Sequence, residues 1–322
     1  MNRNEFLRLG GSALASLIIR PFSVAAAPTD SKFYFAIIAD SHIIDKYYKG
    51  PESNREDTES MFKTAERLES ARDVIDSLTP RMEQVFLVGD YFHNYPSPDI
   101  DFYFKNETRI DHAKAITDKF HAPVHVGFGN HDYWAKGMPR ETSHELFRRK
   151  LGLKPYYSVE YRGWKFIHLN NFLGDTWSYG NARFNPSQGS LGEEQLNWFE
   201  AELEQQKPSF VFIHYPLIIV ETAEIKDYGV HALIKKHRDS IQRVVSGHWH
   251  KWFEFGRSYG PPHLVIAATR YDPNAYLIVE ADTKSVTHQL LNIDLVDWNT
   301  HYSKAYKSLG AQSQSRVQRP AV

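Results

Sequence analysis

Six short apolar runs along this chain, at 33 to 39, 85 to 88, 124 to 128, 165 to 169, 210 to 213 and 244 to 245, have the length of buried strands. Between several of them lie helical stretches at 58 to 78, 110 to 119 and 193 to 206. In the last, Leu196, Phe199 and Leu203 form an apolar stripe at helical period. Strands alternating with helices pack as layers, so an α/β fold is expected. From His263 to Ile293 the chain reads as consecutive strands with turns at Asp272-Pro273-Asn274 and Asp282, an antiparallel edge to the sheet.

Composition narrows this frame. With 42% hydrophobic and 24% charged residues, a chain of 322 residues buries a sizeable core. No Pro/Gly/Ser-rich linker or internal repeat interrupts it between 32 and 300, so one domain over 28–300 is the simplest organisation. A net charge of -1 shows no basic excess for tracking nucleic acid. The absence of Cys excludes disulfides, thiolate metal sites and cysteine nucleophiles.

At the N-terminus Arg3 and Arg8 precede an apolar stretch from Leu9 to Ile19, and small residues follow from Ser23 to Ala27. That is the layout of an export signal over 1–27, delivering the protein to the periplasm or the exterior. Asn4 stands where a twin-arginine signal has its second Arg. Arg20 and Pro21 break the apolar run well short of the roughly 20 residues a membrane span needs, so cleavage near 25–27 leaves a soluble product. Residues 301–322 read as a tail, polar and without apolar period from about 311, and partly disordered.

Metal-capable residues recur where the strands end: Asp40-Ser41-His42, Gly89-Asp90, Gly129-Asn130-His131-Asp132, His214 and Gly247-His248-Trp249-His250. In open α/β sheets that edge is where ligands bind. A carboxylate and an imidazole two residues apart converge on one ion, and His with Asp suits Zn, Mn or Fe. No phosphate-binding Gly-rich loop, nucleophile elbow or zinc helix is present, which removes kinase, serine hydrolase and zincin readings.

Taken in order, Asp40-x-His42, Gly89-Asp90, Gly129-Asn130-His131-Asp132, His214 and Gly247-His248-x-His250 resemble the calcineurin-like metallophosphoesterase superfamily over roughly 33 to 270. The resemblance implies a layered sandwich of central mixed β-sheets flanked by helices, with the active site at the C-terminal ends of strands. It implies two divalent ions, Mn, Fe or Zn. Asp40, His42, Asp90 and His250 hold one, and Asp90, Asn130, His214 and His248 hold the other, with Asp90 as the bridge. Two ions about 4 Å apart lower the pKa of a shared water, which makes hydroxide the nucleophile, and clamp the phosphoryl oxygens. His131 resembles the family's catalytic histidine, giving a proton or hydrogen bond to the phosphate or leaving oxygen. The expected substrate is a small phosphodiester or phosphomonoester.

His93 stands three residues after the bridging Asp, where many relatives carry Asp or Asn. Purple acid phosphatases have Tyr there, and DNA-repair nucleases of the superfamily have His, which keeps a nuclease reading open. His93 is expected to touch the phosphate, and Asp132 to orient His131 or hold its loop. The stretch from Gly189 to Leu203 together with His214-Tyr215-Pro216 is most similar to the cyclic-nucleotide phosphodiesterase branch. Tyr91, Phe92, Tyr133, Trp134, Trp177 and Trp249 lie near the motifs as an aromatic wall or as core, at least half of them as core. Arg183, Arg270 and Lys136 read as solvated surface charges, and His121, His125 and His168 as structural. A non-catalytic scaffold is a further alternative, disfavoured by the completeness of the motifs. Oligomeric state is left open.

Overall fold

The computed structural model describes residues 31–133 and 139–298. The segment expected as an export signal, 1–27, together with Trp134, Lys136 and the expected tail at 301–322, lies outside the described residues. Two sheets form the centre. In the first, β1 (Lys32–Ile38), β2 (Gln84–Leu87) and β3 (Val124–Val126) run parallel. β10 (Tyr276–Asp282) pairs antiparallel with β1, and β11 (Thr287–Leu290) with β10. In the second, β5 (Trp164–Leu169), β6 (Ser209–Ile213), β7 (Ile241–Ser246) and β9 (His263–Val265) run parallel. Its antiparallel edges are β4 (Tyr157–Tyr161) and β8 (Phe253–Gly256). Helices α1 (Arg55–Met61), α2 (Thr64–Ser77), α3 (Arg109–Thr117), α4 (Arg140–Leu151), α5 (Glu193–Glu204) and α6 (Val230–Lys236) join them. This is the mixed-sheet, helix-flanked architecture expected.

The period-two alternation of β1 explains the layering. Phe33, Phe35, Ile37 and Ala39 share one buried cluster with Phe86, Trp164, Phe166, Phe210 and Phe212, which joins the two sheets. Tyr34, Ala36 and Ile38 pack instead with helix residues such as Leu68, Ile75, Ile110 and Ala113. Phe166 lies at the centre of the inter-sheet layer, stacked on Phe86 at 4.4 Å and edge-on to Phe35 at 5.0 Å. Phe166→Ala is expected to cost about 3–5 kcal/mol, because close-packed rings cannot collapse into the space left. Urea denaturation reads this directly, and a loss below about 1 kcal/mol contradicts the packing account.

Two expectations need correction. The helix expected over 58–78 is two helices, α1 and α2, broken at Phe62 and Lys63. Ser60 Oγ and Thr64 Oγ1 donate back to the carbonyls of Asp57 and Met61, and Arg270 Nη2 also takes the Asp57 carbonyl, so side chains compete with the helical ladder. The strands expected from His263 to Ile293 do not share one sheet: β10 and β11 extend the first antiparallel, whereas β9 joins the second. β4 and β8 were not foreseen, because burial along β4 is only partial and along β8 alternates, so neither presents a continuous apolar run.

Candidate metal centre

Parallel strands deliver their C-terminal ends to one edge, and every motif follows such an end. After β1 come Asp40 and His42; after β2, Gly89 and Asp90; after β3, a single 3-10 turn over Asn130–Asp132; after β6, His214; after β7, His248 and His250. The backbone at five of these residues is left-handed, with φ of 54° at Asp40, 48° at His42, 48° at Asp90, 67° at His248 and 52° at His250. Residues with a Cβ disfavour that region, so it persists only where surroundings impose it. Here the backbone is tied across strands: Asp40 N donates to Gly89 O at 3.2 Å, His42 N to Asp90 O at 2.9 Å, and His248 N to the Asp40 carboxylate at 3.0 Å. A Cβ on Gly129 would sit 2.2 Å from the Asp90 amide nitrogen, and one on Gly247 2.3 Å from Asp40 Oδ2. Only glycine lets the loops approach this closely.

The side chains converge accordingly. One donor atom each from Asp40, His42, Asp90 and His250 lies within 4.8 Å of the others, and Asp90, His214 and His248 form a second such group. Asp90 belongs to both. Asn130 Oδ1 joins the second group at 3.1 Å from His214 Nε2. Asp40, His42, Asp90, His214 and His250 are buried, and Asn130 and His248 half-buried.

The donor set fits divalent cations. Asp90 Oδ2 is buried without a hydrogen bond of good geometry, facing ring nitrogens of His42 at 3.4 Å and His214 at 3.2 Å. His42 Nε2 and His250 Nε2 face each other at 3.0 Å, and both face Asp40 Oδ1, at 4.0 Å and 3.3 Å. His214 Nδ1 is engaged by the Val88 carbonyl at 2.9 Å, which leaves Nε2 to face the cluster. Burial pushes His42 and His248 well below the ordinary histidine range. Burial alone would raise Asp90, but the charges of His214 and His131 outweigh it and hold the carboxyl low. At His214 burial lowers the pKa, and Asp90 with Asp40 outweigh it, raising it to about 9. An ionised Asp90 beside neutral His42 and His248 matches the states that metal ligation uses, and His214 would release its proton on ligating.

His131 is half-buried beside the cluster, its ring 4.7 Å from that of His42. Its Nδ1 lies 2.8 Å from Asn94 Oδ1, and its backbone N donates to Asp90 Oδ1 at 2.8 Å. Asp132 does not orient the ring. Its carboxylate accepts from the backbone of Gly129, Tyr91 and Phe92, which pins two motif loops together. Asn94 makes the orienting contact instead. It was missed by sequence reasoning, although Asn beside a strand-end motif is a residue that tolerates left-handed backbone, and its φ is 54°.

His93 has 3% exposure, its ring stacked on His131 at 4.5 Å. Arg109, itself paired with the buried Asp45 at 2.8 Å, donates to the carbonyls of both His93 and Asn94 and so fixes this loop. Arg270 is not a solvated charge: it is 3% exposed, donating to Ser60 Oγ at 2.8 Å and Asp57 O at 2.9 Å. Arg183 is exposed and paired with Asp175 and Glu221. Tyr91, Phe92, Tyr133, Trp177 and Trp249 are all buried as core. His125 pairs with Gln84, His168 is enclosed by the rings of Tyr157 and Phe212, and His121 lies exposed beside Asp76.

An α/β sandwich that gathers Asp, Asn and His donors at the ends of five parallel strands has the donor set of a dimetal site. The chain belongs to the calcineurin-like phosphoesterase family, whose model matches residues 33–252. Among solved structures it is similar to a dimetal phosphatase from Danio rerio, at 17% identity and a TM-score of 0.57, covering 85% of this chain and 100% of that one. It is also similar to a calcineurin-like phosphoesterase from Bacillus subtilis, at 12% identity and a TM-score of 0.44, covering 90% and 99%. A purple acid phosphatase from yellow lupin aligns at 14% identity and a TM-score of 0.45, covering 81% and 53%. Comparison with curated protein sequences gives no match. Among the described residues no helix is long and apolar enough to cross a membrane.

Proposed function

We propose that the protein hydrolyses small phosphate esters at a pair of divalent ions, one held by Asp40, His42, Asp90 and His250 and the other by Asp90, Asn130, His214 and His248. The observation that carries this reading is the membership of Asp90 in both donor clusters. When bound, such a pair supplies an activated water and positive charge against the phosphoryl oxygens. Asp40 and Asp90 contribute the negative charge that retains the ions. His131 has Nδ1 committed to Asn94, so its Nε2 is the nitrogen left to give a hydrogen bond or proton to the phosphate or leaving oxygen. Burial, only partly opposed by Asp90, pulls His131 down to about 3, and the negative charge of a phosphate against the ring opposes that shift and favours the protonated form that Nε2 needs in order to give a proton.

A cleft of about 620 Å³ opens beside His93 and Asn94, walled by Tyr47, Tyr48 and Phe102. That volume has room for the organic group of a small ester. The export layout at 1–27 belongs to the same reading: a catalytic domain that works outside the cytoplasm.

The test is purified protein assayed on aryl phosphate monoesters and diesters, with single-stranded DNA and RNA alongside. Chelator is expected to reduce turnover by at least about 10²-fold, since activated water and charge clamping are both lost. Mn or Zn restores it, and elemental analysis finds close to two ions per chain. Full turnover by metal-free protein rejects the reading, and preferential cleavage of nucleic acid replaces the substrate class.

A further inference from the structure

Resting on the two-metal reading, the surroundings of His42 carry a further assignment. Its Nε2 faces the donor cluster, 3.4 Å from Asp90 Oδ2, while its Nδ1 lies 3.1 Å from His93 Nδ1. Behind His93, Nε2 lies 3.2 Å from Glu52 Oε1. A ring nitrogen that ligates a cation carries no hydrogen, so a neutral His42 ligating through Nε2 carries its proton on Nδ1. His93 Nδ1 then accepts that proton's hydrogen bond, which places the proton of neutral His93 on Nε2, facing the carboxylate. Every donor in the row meets an acceptor, in one direction only.

We propose that Glu52 and His93 are positioning residues, a relay from the Glu52 carboxylate through His93 to His42 that sets the tautomer and orientation of the ligand ring. The carboxylate is itself held in place. Tyr48 Oη donates to Oε1 at 2.9 Å, the Glu52 backbone N donates to Thr58 Oγ1 at 2.9 Å, and the Arg270 guanidinium stands 3.8 Å from Oε2. Burial would raise the Glu52 pKa, but the hydrogen bonds from His93 and Tyr48 and the charge of Arg270 outweigh it and hold it at about 2. An ionised carboxylate only accepts, which fixes the direction of the row. Asn94 Nδ2 also lies 3.3 Å from His93 Nε2, but an amide nitrogen only donates, so the acceptor for an Nε2 proton is the Glu52 carboxylate at 3.2 Å.

The relay assigns His93 a task other than the phosphate contact expected from sequence. Both ring nitrogens are engaged within the protein, and the ring is 3% exposed. It also gives the buried Arg270 a purpose, since the guanidinium stands behind the carboxylate rather than at the surface. Carboxylate partners of ligating histidines raise ligand basicity and hold the ring, and losing one weakens metal affinity by 10–100-fold in general.

The experiment is Mn²⁺ titration by calorimetry of the full chain, with Glu52→Gln, His93→Gln and the double variant, alongside thermal unfolding of each metal-free protein. Glu52→Gln preserves size, and 20% of the side chain is exposed, so the fold is expected to persist. The expected result is that each single variant weakens one of two Mn²⁺ sites by about 10–100-fold. The double variant is expected to weaken it no further than the worse single one, because the residues act in one row. Unchanged affinity in both single variants, with KM for an aryl phosphate raised in His93→Gln alone, overturns the relay and returns His93 to the phosphate. Fully additive losses overturn it as well. If the unaltered protein binds no Mn²⁺, the two-metal reading fails and the relay with it, an outcome distinct from losses confined to the variants.

Discussion

Asp90→Asn is expected to empty both metal positions and lower kcat/KM by about 10³-fold or more, a loss of roughly 4 kcal/mol of transition-state stabilisation. Asp90 is the residue common to both donor clusters, and its ionised form is held low by His214 and His131 against the penalty of burial. Replacing it by the amide keeps shape and volume but removes the charge that lets one oxygen serve two cations. The contact that Oδ1 accepts from His131 N at 2.8 Å survives in Asn, so the loops keep their anchor. The loss is therefore expected in metal content and rate, with the thermal midpoint of the metal-free protein little changed. Elemental analysis beside steady-state kinetics reads both. Retention of two ions per chain at wild-type turnover would remove Asp90 from the bridge and with it the proposed chemistry.

His131→Ala separates proton transfer from metal binding. Its ring touches the cluster at His42 and His93 but belongs to neither donor set that shares Asp90. Metal content is thus expected to stay near two per chain while kcat falls by about 10²–10⁴-fold, the range for losing a positioned acid. The effect is expected to grow with the basicity of the leaving group. Alkyl phosphates, whose alkoxide needs a proton, lose most, and nitrophenyl phosphates, whose phenolate leaves unaided, lose least. Equal losses across such a series would mean that His131 stabilises phosphate charge rather than protonating the leaving oxygen. Loss of metal in this variant would instead make it a ligand.

Much of the site was legible because its signals are local. Gly-Asp, Gly-Asn-His-Asp and Gly-His-x-His each fall directly after an apolar run, and a parallel strand exposes its C-terminal end whichever sheet it enters. The residues behind the site were not legible. Glu52 lies in a loop before α1 and Arg270 in a loop after β9, and nothing in either neighbourhood announces a buried charge. Arg270 reads as a surface cation until Ser60 and Asp57 are found around it. Asp132 and Asn94 both flank motif residues, and only the direction of the His131 ring assigns the orienting role to Asn94. The aromatic residues near the motifs are ambiguous for a related reason: a ring beside a strand end is equally suited to a cleft wall or to the core, and Tyr91, Phe92 and Trp249 went to the core.

Residue order alone established the alternation of strand and helix, the strand ends that carry metal-capable side chains, and the family, since each depends on contacts within a few residues along the chain. Packing in three dimensions decided which sheet each C-terminal strand joined, where the helix over 58–78 divided, and which partners stand behind His42 and His131. The physical reason is that an apolar strand is satisfied by either sheet, and a side-chain hydrogen bond by any partner of the right polarity. The choice falls to whichever arrangement buries both sheets' inner faces and leaves each enclosed charge paired.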